Sequence, residues 1–185
     1  MPSILLLTTL NPVAFHRVVS GYTSNAKYNV AYNEAEGQAS FALQLVPLPQ
    51  PYIKHYDPCD AETLQRYTQV LSSGYSWGAY TGEALVGLLI AEPQWWNRSL
   101  WVWEFHVVEA ERRRGLGAGL MAAAVEKASR EGLRTIVCET QNTNAPAIQV
   151  YRKLGFRVEG VDISYYTNAD YPEGEVAVFM KRRLG

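Results

Sequence analysis

The sequence predicts an α+β fold, a mixed and mostly antiparallel central sheet flanked by helices. Two features of its order point there. Strand-like runs joined by short polar turns fill the first hundred or so residues, the way antiparallel neighbours are connected, and a strand-helix-strand-helix unit follows. With 185 residues the chain is long enough for one domain with a full core and short for two. The reading therefore divides it into an N-terminal extension of uncertain structure at 1–20 and a single domain at 21–185.

Residues 1–20 offer only Asn11-Pro12, a capping residue followed by one that fits a first helical turn. From Ala26 to Leu48 the text reads as a hairpin: "KYNVAY", the turn-like "NEAEGQ", then "SFALQLVPL". "PLPQPY" reads as a proline-rich bend. "PCDAETLQRYTQVLSSG" is helical, with Asp60 as cap, Leu64, Tyr67 and Leu71 on one face and Gly74 as stop. "SWGAYTGEALVGLLIAE" gives two strands around Thr81-Gly82-Glu83, and "SLWVWEFHVV" a third. The next helix carries Leu116, Leu120, Met121, Ala124, Val125 and Ala128 along one stripe, and Gly132 ends it. "RTIVCETQ" is a strand, "NAPAIQVYRKLG" a helix, and "FRVEGVDISYY" and "EVAVFMKRR" are strands.

Composition excludes several classes. Apolar residues at 48% and charged residues at 19% are ordinary for a globular protein and exclude disorder. A net charge of −1 argues against a nucleic-acid partner. Cys59 and Cys138 lack metal-ligand spacing and fit a reduced, cytoplasmic setting, so no metal is expected. The opening "MPSILLLTTLNPVAFHRVV" has no basic region before its apolar run, and Asn11-Pro12 interrupts it early. The reading is neither a signal peptide nor a membrane span.

The positive charge gathers in "VVEAERRRGLGAGLMAAAVEKA", where three arginines run into alternating glycines at the mouth of a helix. A helix N-terminus exposes unpaired N–H groups and partial positive charge, so it attracts phosphate. Glycines at 115, 117 and 119 let a ligand approach the backbone, and Arg112, Arg113 and Arg114 add charge-assisted hydrogen bonds. The sum is a pyrophosphate cradle. A nucleotide P-loop is absent, because no Gly-Lys-Ser/Thr follows. A dinucleotide fingerprint fails too: "EAERRR" intervenes after the strand and Leu120 stands where the last glycine belongs, although Glu139 sits at a suitable distance for a ribose contact. The pattern Arg/Gln-x-x-Gly-x-Gly/Ala after a strand is met by Arg112, Gly115 and Gly117.

That loop resembles the coenzyme A loop of the GNAT superfamily of N-acetyltransferases. A second stretch, "ETQNTNAPAIQVYRKLGF", is similar to the superfamily's other signature through Asn144, Ala147, Ile148, Tyr151, Gly155 and Phe156. The wider likeness, from about Tyr22 to Lys181 and including "PQPYIKHY", is to streptothricin acetyltransferases and their near relatives. The resemblance implies acetyl-CoA as cofactor, held by Val107, Val108, Glu109, Arg112, Arg113, Arg114, Gly115, Leu116, Gly117, Ala118, Asn144 and Tyr151. By periodicity alone Tyr151 is a core residue beside Ala147 and Leu154. The resemblance gives it the protonation of the leaving thiolate.

In "WVWEFHVV", alternation puts Trp101, Trp103, Phe105 and Val107 on one face and Val102, Glu104, His106 and Val108 on the other. Glu104 stands where the superfamily is often acidic, which implies that it takes the amine proton and attracts a cationic substrate. His106 departs from the usual small apolar residue and is an alternative base. The resemblance also implies that backbone N–H groups near Val107 to Glu109 polarise the acetyl carbonyl and pair with the pantetheine arm. Glu139 and Asp162, with Tyr165, Tyr166, Trp95 and Trp96, suit an acidic, aromatic cleft for an amine. The expected activity is direct acetyl transfer to a primary amine of a small basic molecule, with a streptothricin-like acceptor as the sharpest version. Acetylation of a protein or peptide and a coenzyme-binding sensor without transfer are the alternatives, and a homodimer is a further expectation.

Overall fold

A computed structural model gives the structure of the chain, describing residues 2–56 and 60–185. Cys59 lies outside the described residues. The elements run β1 (Ser3–Leu6), α1 (Pro12–Val18), β2 (Gly21–Ala35), β3 (Gln38–His55), α2 (Ala61–Leu71), β4 (Trp77–Thr81), β5 (Ala84–Gln94), β6 (Ser99–Val107), α3 (Leu116–Arg130), β7 (Thr135–Gln141), α4 (Ala145–Lys153), β8 (Arg157–Asp162) and β9 (Ala177–Arg183). They gather into two compact units. The first draws on 1–20, 56–138 and 182–185, the second on 21–55 and 139–181.

In the first unit the strands lie in the order β1-β4-β5-β6-β7. The pairs are antiparallel from β1 through β6, and β6 with β7 is parallel. This is the mixed, mostly antiparallel sheet that the order of turns and crossovers predicts. Residues 3–18 are built into it. β1 pairs with β4, and Asn11 caps α1 by accepting the Ala14 N–H at 3.0 Å. Phe15 of α1 is fully buried in a cluster with Leu7, Val18, Tyr67, Leu71, Leu88 and Ile90, and such burial contributes about 1.5–3 kcal/mol for a large apolar side chain. α2 supplies Tyr67 and Leu71 to the same cluster, and its Asp60 cap accepts from Thr63 N at 2.7 Å. Alternation along β5 sends Leu88 and Ile90 to that side, while Gly87 faces Leu120 of α3. The sheet is thus covered on both faces. Among the described residues no helix is long and apolar enough to cross a membrane.

In the second unit β2 and β3 form a long antiparallel ribbon and β8 pairs with β9. The ribbon is longer than the sequence suggests, because the "PLPQPY" stretch continues β3. Pairing jumps there from Pro47 opposite Ala26 to Tyr52 opposite Ser24, so the expected bend is an irregularity inside the strand. Pro47, Pro49 and Pro51 recur at alternate positions, which places their missing N–H groups along one edge of the strand, where proline is tolerated. Asn142 pins the ribbon by donating from Nδ2 to Tyr28 O at 2.9 Å, while its Oδ1 accepts from Val176 N at 2.9 Å.

Candidate active site

The bond ladder between β6 and β7 runs from Ser99–Thr135 to Val102–Cys138. Immediately afterwards the register between β5 and β6 shifts: Ala91 faces Val102 and Ile90 faces Glu104, so Trp103 is an extra residue, a β-bulge. The bulge corrects the alternation read from sequence. Phe105 and Val107 do share a side, against Gly117 of α3. Trp103 instead packs on the Phe15–Tyr67 cluster, with Arg66 stacked 3.9 Å from its ring centroid. It therefore stands on the side of Glu104, which meets Tyr67 of the same cluster. An inserted residue breaks the period of two, and no pattern within the strand announces it.

Past the bulge, Glu104 and His106 come together. The His106 Nε2 and Glu104 Oε2 are 2.7 Å apart, and the Tyr67 hydroxyl donates to Glu104 Oε1 at 2.6 Å. Both side chains are largely buried. The Tyr56 ring stands edge-on to the imidazole, with centroids 5.8 Å apart. Sequence reasoning picked Glu104 and His106 and missed Tyr67, which periodicity gave to the core. It is a core residue whose hydroxyl reaches a carboxylate 37 residues away.

The arginine-glycine loop follows β6. Gly115 takes a left-handed conformation at φ 83° as the N-cap of α3 and has no side chain to cap the helix, so the first helical bond is Gly119 N to Gly115 O at 2.9 Å. The N–H groups of Leu116, Gly117 and Ala118 precede that bond and point out of the mouth. Of the arginines, Arg112 donates from Nε to Val107 O at 3.0 Å and Arg114 pairs with Glu111 at 2.8 Å. Arg113, at φ 62°, shows no partner among the described residues. An uncapped helix mouth of glycine and alanine with a spare guanidinium fits a diphosphate.

Two expectations about this loop are corrected. A Cβ on Gly119 would lie 2.3 Å from Ile4 Cδ1, so this glycine faces protein and lets α3 approach β1, whereas one on Gly117 would make only ordinary contact with Phe105, at 3.4 Å. Gly115 is required by its own backbone. The Val108 N–H donates to Val86 O at 2.9 Å, so this amide is spent inside the sheet and is not open to an acetyl carbonyl. Glu109 begins a short 3-10 turn, Glu109–Glu111, ahead of the arginines.

The remaining predicted residues lie in the second unit. Asn144 caps α4, its Oδ1 accepting from Ala147 N at 3.2 Å. Tyr151 is buried on α4 with its ring centroid 5.5 Å from that of Phe156. Glu139 accepts a hydrogen bond from the Tyr166 hydroxyl. Burial raises the Glu139 carboxyl above the usual range, against the pull of that bond and of the Lys54 charge. Asp162 turns instead to its own loop, accepting from Ser164 N at 2.9 Å. Trp95 and Trp96 belong to the first unit and are exposed at the β5–β6 turn, the end of β6 away from Glu104. Of the expected cleft, then, the structure joins Glu139 and Tyr166, with the Tyr165 ring edge-on to that of Tyr166, centroids 5.2 Å apart. A carboxylate that sequence reasoning missed lies near them: Glu175, ion-paired with Lys54 and bonded to Thr143, Tyr22 and Tyr52. Among the described residues no group of three or more His, Cys, Asp and Glu side chains gathers as metal ligands.

A mixed sheet bulged at the strand that carries an acid-base pair, leading into an uncapped, arginine-rich helix mouth, is the frame of a coenzyme-dependent acyltransferase. The chain belongs to the acetyltransferase (GNAT) family, whose sequence profile matches residues 42–156. As a member it is an acyltransferase, and its cofactor is acetyl coenzyme A. Within the family it is similar to the streptothricin acetyltransferase of Streptomyces lavendulae, at 31% identity over 143 residues covering 76% of this chain and 75% of that one. Its structure is similar to that of nourseothricin acetyltransferase, with a TM-score of 0.77, 26% identity and coverage of 100% and 99% of the two chains. A Bacillus anthracis protein solved in complex with acetyl coenzyme A shares the fold at a TM-score of 0.73 and 21% identity, over 100% of both chains.

Proposed function

We propose that the chain transfers the acetyl group of acetyl coenzyme A directly to a primary amine of a small basic molecule of the streptothricin kind. The observation that carries this reading is the 31% identity to a streptothricin acetyltransferase over three-quarters of each chain. The Glu104–His106 pair supports it chemically.

The coenzyme supplies an acetyl thioester. Its diphosphate is assigned to Arg113, Arg112 and the N–H groups of Leu116, Gly117 and Ala118. An ionised carboxylate only accepts hydrogen bonds, so the His106 nitrogen facing Glu104 must carry the proton. Nε2 is then the donor, and Nδ1 of neutral His106 keeps the lone pair. Both Glu104 oxygens are engaged, by Tyr67 and His106. His106 Nδ1 is therefore assigned as the proton acceptor, with Glu104 orienting the ring and stabilising the imidazolium, as an acid does in carboxylate–histidine relays. The substrate amine gives its proton to Nδ1, its nitrogen bonds to the acetyl carbon, and the carbon–sulfur bond breaks. Tyr151, by family resemblance, returns a proton to the thiolate.

A free-thiol assay with acetyl coenzyme A and streptothricin, alongside simpler amines, tests the reaction; no thiol release with any of them removes it. His106→Ala is expected to lower kcat/KM by roughly 10² to 10⁴ and to abolish the acidic limb of the pH profile. Glu104→Gln keeps that limb in shifted form. An acidic limb retained intact by His106→Ala gives the base role to Glu104. Tyr151→Phe is expected to lower kcat by a similar roughly 10² to 10⁴, and an unchanged kcat would remove its role.

A further inference from the structure

The β2–β3 ribbon of the second unit has two outer edges, and the chain treats them differently. It seals the β2 edge itself. The Tyr28 N–H donates to Asn142 O at 2.8 Å, Tyr28 O accepts from Asn142 Nδ2, and the Tyr32 N–H donates to the Tyr171 hydroxyl at 3.2 Å. These bonds also fix which way each cross-strand pair turns. Tyr28 and Tyr32 point their amides away from β3, so their partners Leu45 and Phe41 point theirs away from β2. The same alternation sends the amides of Ala39 and Leu43 outward and puts Pro47 at the next outward position.

The β3 edge therefore changes character along its length. Prolines at 47, 49 and 51 protect its second half by removing donors. Its first half has no such protection. β3 is the outer strand of a two-stranded sheet, and the N–H groups of Ala39, Phe41, Leu43 and Leu45 meet no acceptor among the described residues. The stretch 38–46, "QASFALQLV", carries no charge, and Phe41 and Leu45 are each 44% exposed. Natural edges are blunted by charge, proline or cover. This one has none of the three.

An uncharged edge gives no hold to a charged partner but meets its own copy without like-charge repulsion, and a strand paired antiparallel with itself is self-complementary. We infer that residues 39–45 of β3 pair antiparallel with the same residues of a second copy, joining two ribbons into one sheet. The two-fold axis passes at Ala42, the register that engages all the outward amides of both copies. Ala39 then faces Leu45 of the second copy and Phe41 faces its Leu43, on one side of the sheet, so apolar side chains meet across the strands. The same register lays the ribbon tip, with Glu36, alongside residues 46–48 of the second copy, where Val46 has Lys27 and not an acid across the ribbon. Because the β2 edge is sealed, the pairing closes at two copies.

Sedimentation velocity of the full chain from low to high micromolar concentration tests this. The wild type is expected to be a dimer at the high end. Leu43→Pro removes an outward amide and leaves the bonds within the ribbon intact, as Pro47 does. Phe41→Lys places a positive charge from each copy close to the axis. Each variant should weaken dimerisation about tenfold or more, with far-UV circular dichroism and acetyl coenzyme A affinity unchanged. In a Cys59→Ser background, Ala42→Cys stands opposite itself at a Cα separation of about 4.5 Å, within disulfide reach. It should cross-link under mild oxidation, and Ser40→Cys, which faces Gln44 of the second copy, should not. A wild type that is monomeric at every concentration overturns the inference. So does a dimer that both Leu43→Pro and Phe41→Lys leave as tight as wild type, or cross-linking as fast at Ser40→Cys as at Ala42→Cys.

Discussion

The hydroxyl of Tyr67 decides how Glu104 is used. Its hydrogen bond to Oε1, at 2.6 Å, holds the carboxylate so that Oε2 meets His106. Tyr67→Phe keeps the ring, which packs on Phe15 with centroids 5.8 Å apart, and deletes only the donor. A hydrogen bond to a charged group contributes about 1.5–3 kcal/mol. Without it the carboxylate is no longer held towards His106, and kcat is expected to fall by the roughly 10- to 100-fold that a bond of this size supports, while KM for acetyl coenzyme A should not change. An unchanged kcat would show that Tyr67 only fills space. At this scale the sequence showed the acid and the histidine, because both stand on one strand two residues apart. It hid Tyr67 and Glu175, whose roles come from contacts 37 and 121 residues away in the chain. No local period records such contacts.

The start of α3 is an element whose local form was legible in its letters. A glycine cap, small residues in the first turn and a run of arginines are local features, and the fold keeps them local. The structure nevertheless ranks the arginines. Arg114 is tied to Glu111 and Arg112 partly to Val107 O, which leaves Arg113 the most available. Arg113→Ala is therefore expected to weaken acetyl coenzyme A binding tenfold or more at low salt, from the roughly 1.5–3 kcal/mol of a charged hydrogen bond, and to flatten its salt dependence. Arg114→Ala should cost less, since Glu111 already offsets its charge; calorimetry in two salt concentrations separates them, and the opposite order would refute the ranking. The same logic explains which elements were misread. Capped helices such as α2 and α4 carry their start signals beside them, in Asp60 and Asn144. The bulge at Trp103 and the proline-bearing β3 depend on which edge a neighbouring strand occupies, a fact absent from the strand's own residues.

For the molecule as a whole, the two carboxylates of the second unit pull stability in opposite directions as pH changes. On Glu175, burial works to raise the carboxyl, but hydrogen bonds from Lys54, Thr143 and Tyr22 outweigh it and hold the group below the ordinary glutamate value of 4.5. Its contribution is present above that value and lost as pH falls through the lowered one. Glu139 is raised by burial, so the folded state holds its proton more tightly than the unfolded chain does. Its contribution is present below the ordinary value of 4.5 and lost as pH rises through the raised one. As pH rises above the ordinary value, Glu139 therefore costs the fold part of its stability. Glu139→Gln should melt at a higher temperature than wild type at pH 7, with the gap closing by pH 4, where the wild-type acid is protonated. Melting temperatures of the two proteins that stay parallel from pH 4 to pH 8 would mean that Glu139 is already neutralised within the chain.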